Sequence, residues 1–155
     1  MTTTRYSAGI LVYRLRGASP EVLLVHPGGP FWKNKDSGAW SIPKGEVGEG
    51  EQGLTAALRE FREETGAVVE GRFTPLTECR LKSGKRIQAW AVEADLDATS
   101  MHSNTFEIQW PPRSGALRAF PEVDGYAWLT LDEARLKINV GQKALLDELE
   151  AMLLR

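Results

Sequence analysis

Glutamate residues crowd one short stretch of this chain. Residues 45–66 read GEVGEGEQGLTAALREFREETG, which places Glu60, Glu63 and Glu64 close together. Like charges three or four residues apart on a helix repel by roughly a few tenths of a kcal/mol per pair. A divalent cation would offset this repulsion, because carboxylate oxygens are the ligands that Mg²⁺ and Mn²⁺ prefer. The spacing therefore indicates a candidate metal site.

A helix over residues 51–65 would hold these acids beside its buried face. At the helical angle per residue, the apolar arc consists of Leu54, Ala57, Leu58, Phe61 and Thr65. Glu60, Glu63 and Glu64 fall on the adjoining arc, separated from most of the positive charge of Arg59 and Arg62. Because Glu60 and Glu64 are one turn apart, both carboxylates can reach one point in space.

The alternative interpretation is a solvated helix face on which Arg59 and Glu63 form an ordinary i,i+4 ion pair. The sequence before the helix favours a ligand site. The stretch WSIPKGEVGEGE has glycines at positions 45, 48 and 50 and leads directly into the predicted helix. Glycines allow the backbone to approach a ligand closely, and a helix N-terminus favours anions.

These residues also complete a longer pattern. Gly45 is followed by five residues and Glu51, and seven more residues lead to REFREETGA at 59–67. This pattern resembles the Nudix box at every fixed position, and only Ala67 is small for its place. The resemblance implies a fold of the α/β (α+β) class, a Nudix-type α/β/α sandwich with a mixed central sheet. We expect a single domain over residues 1–155.

The resemblance also implies a chemistry. Nudix hydrolases cleave the pyrophosphate link of a nucleoside diphosphate derivative with a divalent cation, here expected to be Mg²⁺ or Mn²⁺. Glu60, Glu63 and Glu64 are then the expected metal ligands. Either Glu60 or Glu63 would be the general base, since this role varies among members of the family. Arg59 is expected to orient Glu60 through charge-assisted hydrogen bonds.

Further site residues follow from the same resemblance. The backbone carbonyl of Lys44 matches another metal contact of the family. A late acid is expected at Glu122, six residues before Trp128 in FPEVDGYAW, with Glu107 as the alternative. Glu51 is expected in the first helical turn, where a carboxylate interacts favourably with the helix N-terminus, so its role should be mainly structural.

The residues just before Gly45 bear on the substrate. WSIPKGEV resembles the PKG sequence of diadenosine polyphosphate and diphosphoinositol polyphosphate hydrolases, which favours a dinucleoside polyphosphate similar to diadenosine tetraphosphate. The Lys44 side chain is a candidate contact for polyphosphate, and Trp32 and Trp40 are candidates to stack on a base. The alternatives are a nucleoside triphosphate pyrophosphohydrolase that sanitises the nucleotide pool and a catalytically silent nucleotide-binding regulatory module.

Composition narrows the class of partner. The net charge of −2 does not favour bulk nucleic acid or an acidic membrane surface. The partner that the resemblance implies is a small-molecule nucleotide. Cys79 is the single cysteine, which excludes an intrachain disulfide and fits a reducing compartment. The apolar run near the N-terminus is too short for a signal core or a membrane span. We therefore expect a cytoplasmic protein and leave its oligomeric state open.

Periodicity and turn residues predict the elements around this site. A hairpin is expected from YSAGILVYRL and EVLLVH, which flank the turn sequence RGASP. Other β-rich segments are expected at 39–43, 68–81, 86–95, 104–110 and 125–131, and helices at 51–65, 132–137 and 141–155. His26, at the end of a strand, is expected to be a structural hydrogen-bonding residue, and KSGKR at 82–86 a solvated turn.

Overall fold

The computed structural model describes residues 6–155. Its strands, in chain order, are β1 (Tyr6–Arg16), β2 (Ser19–Pro27), β3 (Lys44–Glu46), β4 (Thr74–Pro75), β5 (Cys79–Arg80), β6 (Arg86–Glu93), β7 (Thr105–Gln109), β8 (Leu117–Pro121) and β9 (Val123–Thr130). Its α-helices are α1 (Gly53–Thr65), α2 (Leu131–Lys137) and α3 (Lys143–Leu153). Two short 3₁₀ segments, Ala98–Ser100 and Val140–Gln142, complete the regular structure of this part of the chain.

A seven-stranded sheet forms the centre of the fold. Its main path runs β4–β6–β1–β2–β9, while β3 pairs with β1 and β5 pairs with β6. Strand β1 is parallel to β6 and antiparallel to β2. Both kinds of pairing occur in one sheet, so the predicted mixed sheet is confirmed.

Helices cover both faces of this sheet. Successive side chains of a strand point to opposite faces, and β1 and β2 are buried on both. Leu11 and Leu24 pack in a cluster with α3, whereas Ile10 and Leu23 pack with α1 around Phe61. This arrangement confirms the predicted α/β/α sandwich. Among residues 6–155, no helix is both long and apolar enough to cross a membrane.

The predicted hairpin is also confirmed. Strands β1 and β2 pair in register from Tyr13 opposite Val22 to Arg16 opposite Ser19. Gly17, in the turn, has a φ of +65°, a conformation that glycine adopts without the steric cost of a side chain.

Helix α1 begins two residues later than predicted, at Gly53, with Gln52 as its N-cap. Glu51 therefore lies just before the N-cap, and its predicted place in the first turn is wrong. Its carboxylate instead accepts hydrogen bonds from the Gly48 amide and from Arg59. The helix ends as predicted at Gly66, which has a φ of 72° and donates its amide to the Arg62 carbonyl.

Two of the predicted β segments are largely irregular. Residues 39–43 form no strand, since Trp40 and Ser41 make only isolated bridges to Ile138 and Val25, and β3 follows immediately after them. In residues 68–81 only the two-residue strands β4 and β5 form. Gly71 in this segment has a φ of +146°, which interrupts the extended run that its neighbours favour.

Strand β8 was not predicted from the sequence. Its residues, LRAFP, show no regular alternation of apolar and polar side chains and end in proline. It forms through pairing with β7, from Thr105 opposite Pro121 to Gln109 opposite Leu117, as a separate two-stranded sheet. We call residues 104–121 the β7–β8 hairpin.

The packing of α3 gives a first testable prediction. Leu149 is fully buried and Leu136 of α2 is 73% exposed. Leu149→Ala should lower the free energy of unfolding by about 2–5 kcal/mol, because it removes buried methyl groups and leaves a cavity. For the matched control Leu136→Ala, the free energy of unfolding measured in urea should stay within about 0.5 kcal/mol of that of the parent protein. Equal effects of the two substitutions would contradict this assignment of the core.

Candidate active site

The guanidinium of Arg59 joins the carboxylates of this region. Its Nε and Nη2 donate to Glu51 at 2.9 and 3.0 Å, and its Nη1 donates to Glu60 at 2.9 Å and to Glu63 at 3.3 Å. Nη2 also donates to the backbone carbonyl of Glu46 at 3.2 Å. The expected separation of the acids from positive charge is therefore wrong for Arg59, because its long side chain reaches across the helix face. The predicted contact between Arg59 and Glu60 is present.

The carboxyl group of Glu60 lies against the backbone of β3. A Cβ atom at Gly45 would be 2.0 Å from the carboxyl carbon of Glu60, whereas carbon atoms in contact are about 3.5–4.0 Å apart. A side chain at position 45 would therefore displace the Glu60 carboxylate from its present position. Burial raises the pKa of Glu60 above its usual value and the charge of Glu63 adds to this effect, while the hydrogen bond from Arg59 opposes it.

Glu64 is paired with the segment that precedes the helix. The backbone amide of Lys44 donates to Glu64 Oε1 at 3.3 Å. Burial raises the pKa of Glu64 from 4.5 to about 8, against the opposing effect of Lys44. Burial and the charge of Lys85 also lower the pKa of Lys44. The Lys44 side chain is thus half-buried and within electrostatic range of Glu60 and Glu64.

A fourth carboxylate comes from the far end of the chain. Burial raises the pKa of Glu122, and the negative charges of Glu60 and Glu63 raise it further, so its carboxyl group lies within electrostatic range of theirs. Glu107, the alternative from the sequence, lies on an exposed position of β7 opposite Ala119. The structure therefore brings Glu122, and not Glu107, towards the glutamates of α1.

Residues distant in sequence hold the last turn of α1. The backbone amides of His102 and Asn104 donate to the carbonyls of Thr65 and Glu63 at 3.1 and 2.9 Å. The Tyr126 hydroxyl donates to the carbonyl of Glu64 at 2.6 Å. These contacts satisfy helix carbonyls that have no partner within the helix. The sequence did not identify His102, Asn104 or Tyr126, since two act through the backbone and Tyr126 stands in an ordinary strand pattern.

The predicted base-stacking residues Trp32 and Trp40 lie in the loop formed by residues 28–43. The Trp40 indole nitrogen donates to Asp36 at 2.8 Å, and its ring packs edge-on against His26 at 5.3 Å. Trp32 is 39% exposed, with the Lys35 ammonium 5.2 Å from its ring centre. Trp40 thus has packing and hydrogen-bonding partners within the protein, and the Lys35 ammonium lies over one face of the Trp32 ring.

His26 makes the structural hydrogen bonds that its position suggested. Its Nδ1 lies 2.6 Å from an Asp124 oxygen, and its Nε2 contacts the Lys35 carbonyl. Burial lowers the pKa of His26, but the hydrogen bonds to the Lys35 carbonyl and the Asp124 carboxylate outweigh it, so the pKa lies above its usual value. His26 therefore connects the loop to β9.

The sequence of the chain also matches a known protein family. A family model described as the NUDIX domain matches residues 3–149. The chain belongs to the Nudix family. The family predicted from residues 45–67 is therefore confirmed, and Nudix hydrolases generally use divalent metal ions.

Relatives of the chain agree with this assignment. It is 33% identical over 101 residues to the asymmetrical bis(5'-nucleosyl)-tetraphosphatase of Rattus norvegicus, covering 61% of this chain and 58% of that protein. It is 34% identical over 80 residues to an 8-oxo-(d)GTP phosphatase of Mycolicibacterium smegmatis, covering 50% of this chain and 25% of that one. The chain thus spans less than two thirds of the length of either relative.

A solved structure shows the same fold. The C. elegans Ap4A hydrolase binary complex matches with a TM-score of 0.68 and 22% identity, over 96% of this chain and 98% of that one. At this identity the likeness concerns the fold.

The residues of this Nudix site suit a hard divalent cation. Glu60, Glu63, Glu64 and Glu122 supply carboxylate oxygens, and the Lys44 backbone lies beside Glu64, so the donor set consists of oxygen. In the part of the chain that the structure describes, no three His, Cys, Asp or Glu side chains already stand in a ligating arrangement. Glu60 and Glu63 are instead turned towards Arg59. Coordination would require these carboxylates to exchange part of their contacts with Arg59 for contacts with the ion.

The burial of Glu64 predicts a pH-dependent stability. A carboxyl group whose pKa is higher in the folded state stabilises the fold below its unfolded pKa, and this contribution is lost as pH rises through the folded pKa. For Glu64 the window runs from 4.5 to about 8, and the raised pKa values of Glu60 and Glu122 act in the same direction. The free energy of unfolding of the metal-free protein should therefore fall across this window.

Glu64→Gln should flatten this fall, because it removes the buried charge. At pH 8 we expect the free energy of unfolding of the metal-free variant, measured in urea, to exceed that of the parent protein by on the order of 1–3 kcal/mol. Glu107→Gln, on the exposed side of β7, is the matched control and should keep the slope of the parent protein. A stability that rises from pH 5 to pH 8 in the metal-free parent would contradict this account of Glu64.

Proposed function

We propose that this protein is a metal-dependent hydrolase of the pyrophosphate link in a nucleoside diphosphate derivative, and that its substrate is a dinucleoside polyphosphate similar to diadenosine tetraphosphate. The convergence of four carboxylates around Arg59 and β3 carries the proposal of hydrolysis. Two observations support the choice of substrate. One is the PKG sequence, whose Lys44 lies within electrostatic range of Glu60 and Glu64, and the other is the similarity to the tetraphosphatase of Rattus norvegicus.

The residues have separate tasks in this proposal. Glu60, Glu63, Glu64, Glu122 and the Lys44 carbonyl would hold Mg²⁺ or Mn²⁺. The ion would supply positive charge against the phosphate oxygens and acidify the attacking water. Glu63 or Glu60 accepts the proton of that water as its oxygen bonds to phosphorus. The anhydride P–O bond then breaks, and the leaving phosphate departs with the bonding electrons.

Two cations of the protein assist this reaction. Arg59 fixes Glu60 and Glu63 through direct hydrogen bonds, so either carboxylate is oriented before the substrate arrives. The Lys44 ammonium lies near Glu64 and Glu60 at the start of the box, where it would attract a polyphosphate chain.

A second candidate substrate is a nucleoside triphosphate. The similarity to the 8-oxo-(d)GTP phosphatase of Mycolicibacterium smegmatis favours it. A silent regulatory module is the weakest alternative, because this chain retains every acid of the box and the contacts of Arg59 that orient them. Lost catalysis would leave these acids free to vary.

Product analysis tests the substrate proposal. With Mg²⁺ or Mn²⁺, diadenosine tetraphosphate should yield one nucleoside monophosphate and one nucleoside triphosphate, separated by anion-exchange chromatography. A chelator should abolish the reaction and excess cation should restore it, because the site offers only hard oxygen ligands. Two diphosphates as products would reject asymmetric cleavage. Turnover of nucleoside triphosphates alone would select the second candidate.

Substitution of single acids tests the assignment of the site. Glu60→Gln and Glu63→Gln keep the shape of the side chain and remove its charge. Whichever residue is the general base should lose roughly 10²–10⁴-fold in kcat. Glu122→Gln should also lose turnover, whereas Glu107→Gln, its matched control on β7, should retain it. Retained activity in all of the α1 and Glu122 variants would mean that these acids form only a solvated face.

A further inference from the structure

A cleft opens beside Glu122, between the 28–43 loop and the β7–β8 hairpin. It has a volume of about 440 Å³ and is lined by Gly29, Pro30, Lys33, Trp110, Arg118 and Phe120, together with Pro121 and Asp124. This cleft is separate from Lys44 and from the tryptophans at 32 and 40. We call it the hairpin cleft.

Aromatic side chains form much of its wall. Trp110 and Phe31 meet edge to face, with ring centres 5.6 Å apart, and Phe31 is 62% exposed. Trp110 is half-buried and lines the cleft with Phe120, whereas Phe31 lies outside the lining. The Trp110 ring is therefore the aromatic surface beside Lys33 and Arg118 that can receive another planar ring. Phe106 supports the wall from behind, because the backbone at Gly29 approaches it so closely that a Cβ atom there would lie 2.9 Å from its ring.

The charges of the hairpin cleft favour an anion. Lys33 and Arg118 are exposed cations, and Asp124 is the acid of the lining. The carboxylate of Asp124 already contacts the Nδ1 atom of His26 at 2.6 Å. The two cations therefore outweigh the remaining negative charge. Aromatic rings next to cations match a base attached to a phosphate.

Both walls of the cleft are connected to the carboxylate site. The Gly28 amide donates to the Glu122 carbonyl at 2.9 Å, which fixes the loop wall to the segment of Glu122. At the base of the hairpin, the amides of Glu122 and Asn104 donate to the carbonyls of Asn104 and Glu63 at 2.8 and 2.9 Å. A ligand in the cleft is therefore held at a defined position relative to Glu63 and Glu122.

We propose that the hairpin cleft binds the base of a nucleotide substrate, stacked on Trp110, with Arg118 and Lys33 on its phosphates. This proposal rests on the proposed function, since it assigns the specificity of the same site. Trp110 is then a specificity-determining residue. Trp110 should contribute to the affinity for nucleotides and not to the affinity for phosphate chains that lack a base.

Binding measurements test this assignment separately from turnover. The probes are a methylene-bridged, non-hydrolysable diadenosine tetraphosphate and inorganic tripolyphosphate, titrated calorimetrically into the Mg²⁺-loaded protein. Trp110→Leu should lower the affinity for the dinucleotide by about 5- to 150-fold, which corresponds to about 1–3 kcal/mol for one stacked base. Its affinity for tripolyphosphate should change less than about twofold, because no stacked base is lost. Trp110→Phe, which keeps an aromatic ring, should retain most of the affinity for the dinucleotide.

A second pair of variants separates charge from folding. Arg118→Gln should lower the affinity for both probes. The matched control is Arg113→Gln, in the same hairpin but outside the lining of the cleft, and it should lower neither affinity. Unchanged dinucleotide affinity in Trp110→Leu would overturn the proposal. So would an equal loss for both probes accompanied by a lower unfolding midpoint, since Trp110 would then be a packing residue.

The failure of the proposed function has a different signature. Trp110-dependent binding of the dinucleotide without turnover would support the hairpin cleft and reject hydrolysis of that substrate. A parent protein that does not bind the dinucleotide would overturn the cleft assignment, whatever other substrate it hydrolyses. Self-association that Trp110→Leu abolishes, in place of an effect on nucleotide binding, would assign the aromatic pair to a contact between two copies of the chain.

Discussion

The mutual repulsion of Glu60, Glu63, Glu64 and Glu122 is the constraint on which the arrangement of this end of the molecule depends. Burial raises the pKa values of Glu60, Glu64 and Glu122, so desolvation and repulsion act together against ionisation. Arg59 and Lys44 relieve part of this cost, but Arg59 is shared among three acids and burial lowers the pKa of Lys44. The site thus holds more carboxyl groups than cations that could compensate them, and a divalent ion that binds there would displace their protons.

These carboxyl groups are held in place by contacts that carry no charge. The last turn of α1 receives hydrogen bonds from the segment of His102 and Asn104 and from Tyr126 on β9. These donors neutralise no carboxylate, yet they set the position of the helix end relative to Glu122. The helix therefore supplies the acids and the later half of the chain supplies their spacing. Changes near Tyr126 would then alter the site without touching a side chain that reacts.

The sequence could predict the local part of this arrangement and not the part that depends on distant contacts. Glu60, Glu63 and Glu64 lie on one helix, so their spacing is set by helical geometry alone, and Gly66 ends that helix as its residue type suggests. Arg59 was misplaced because a helical projection ignores the length of its side chain. Glu51 was misplaced by a shift of two residues in the helix start. Strand β8 could not be predicted, since only pairing with β7 makes LRAFP extended.

The same distinction explains why the substrate is harder to infer than the reaction. Reaction chemistry is encoded in residues that must stand at fixed separations on α1, and a local pattern records those separations. A substrate is recognised by surfaces that meet only after folding, here the 28–43 loop and the β7–β8 hairpin. Trp32 and Trp40 are prominent in the sequence, but Trp40 already donates a hydrogen bond to Asp36 and packs against His26. Trp110, from a segment whose fold was only partly predicted, lines a cleft next to Glu122 instead. Recognition residues are therefore better sought where two irregular segments meet beside the acids than among the aromatic residues nearest to the box.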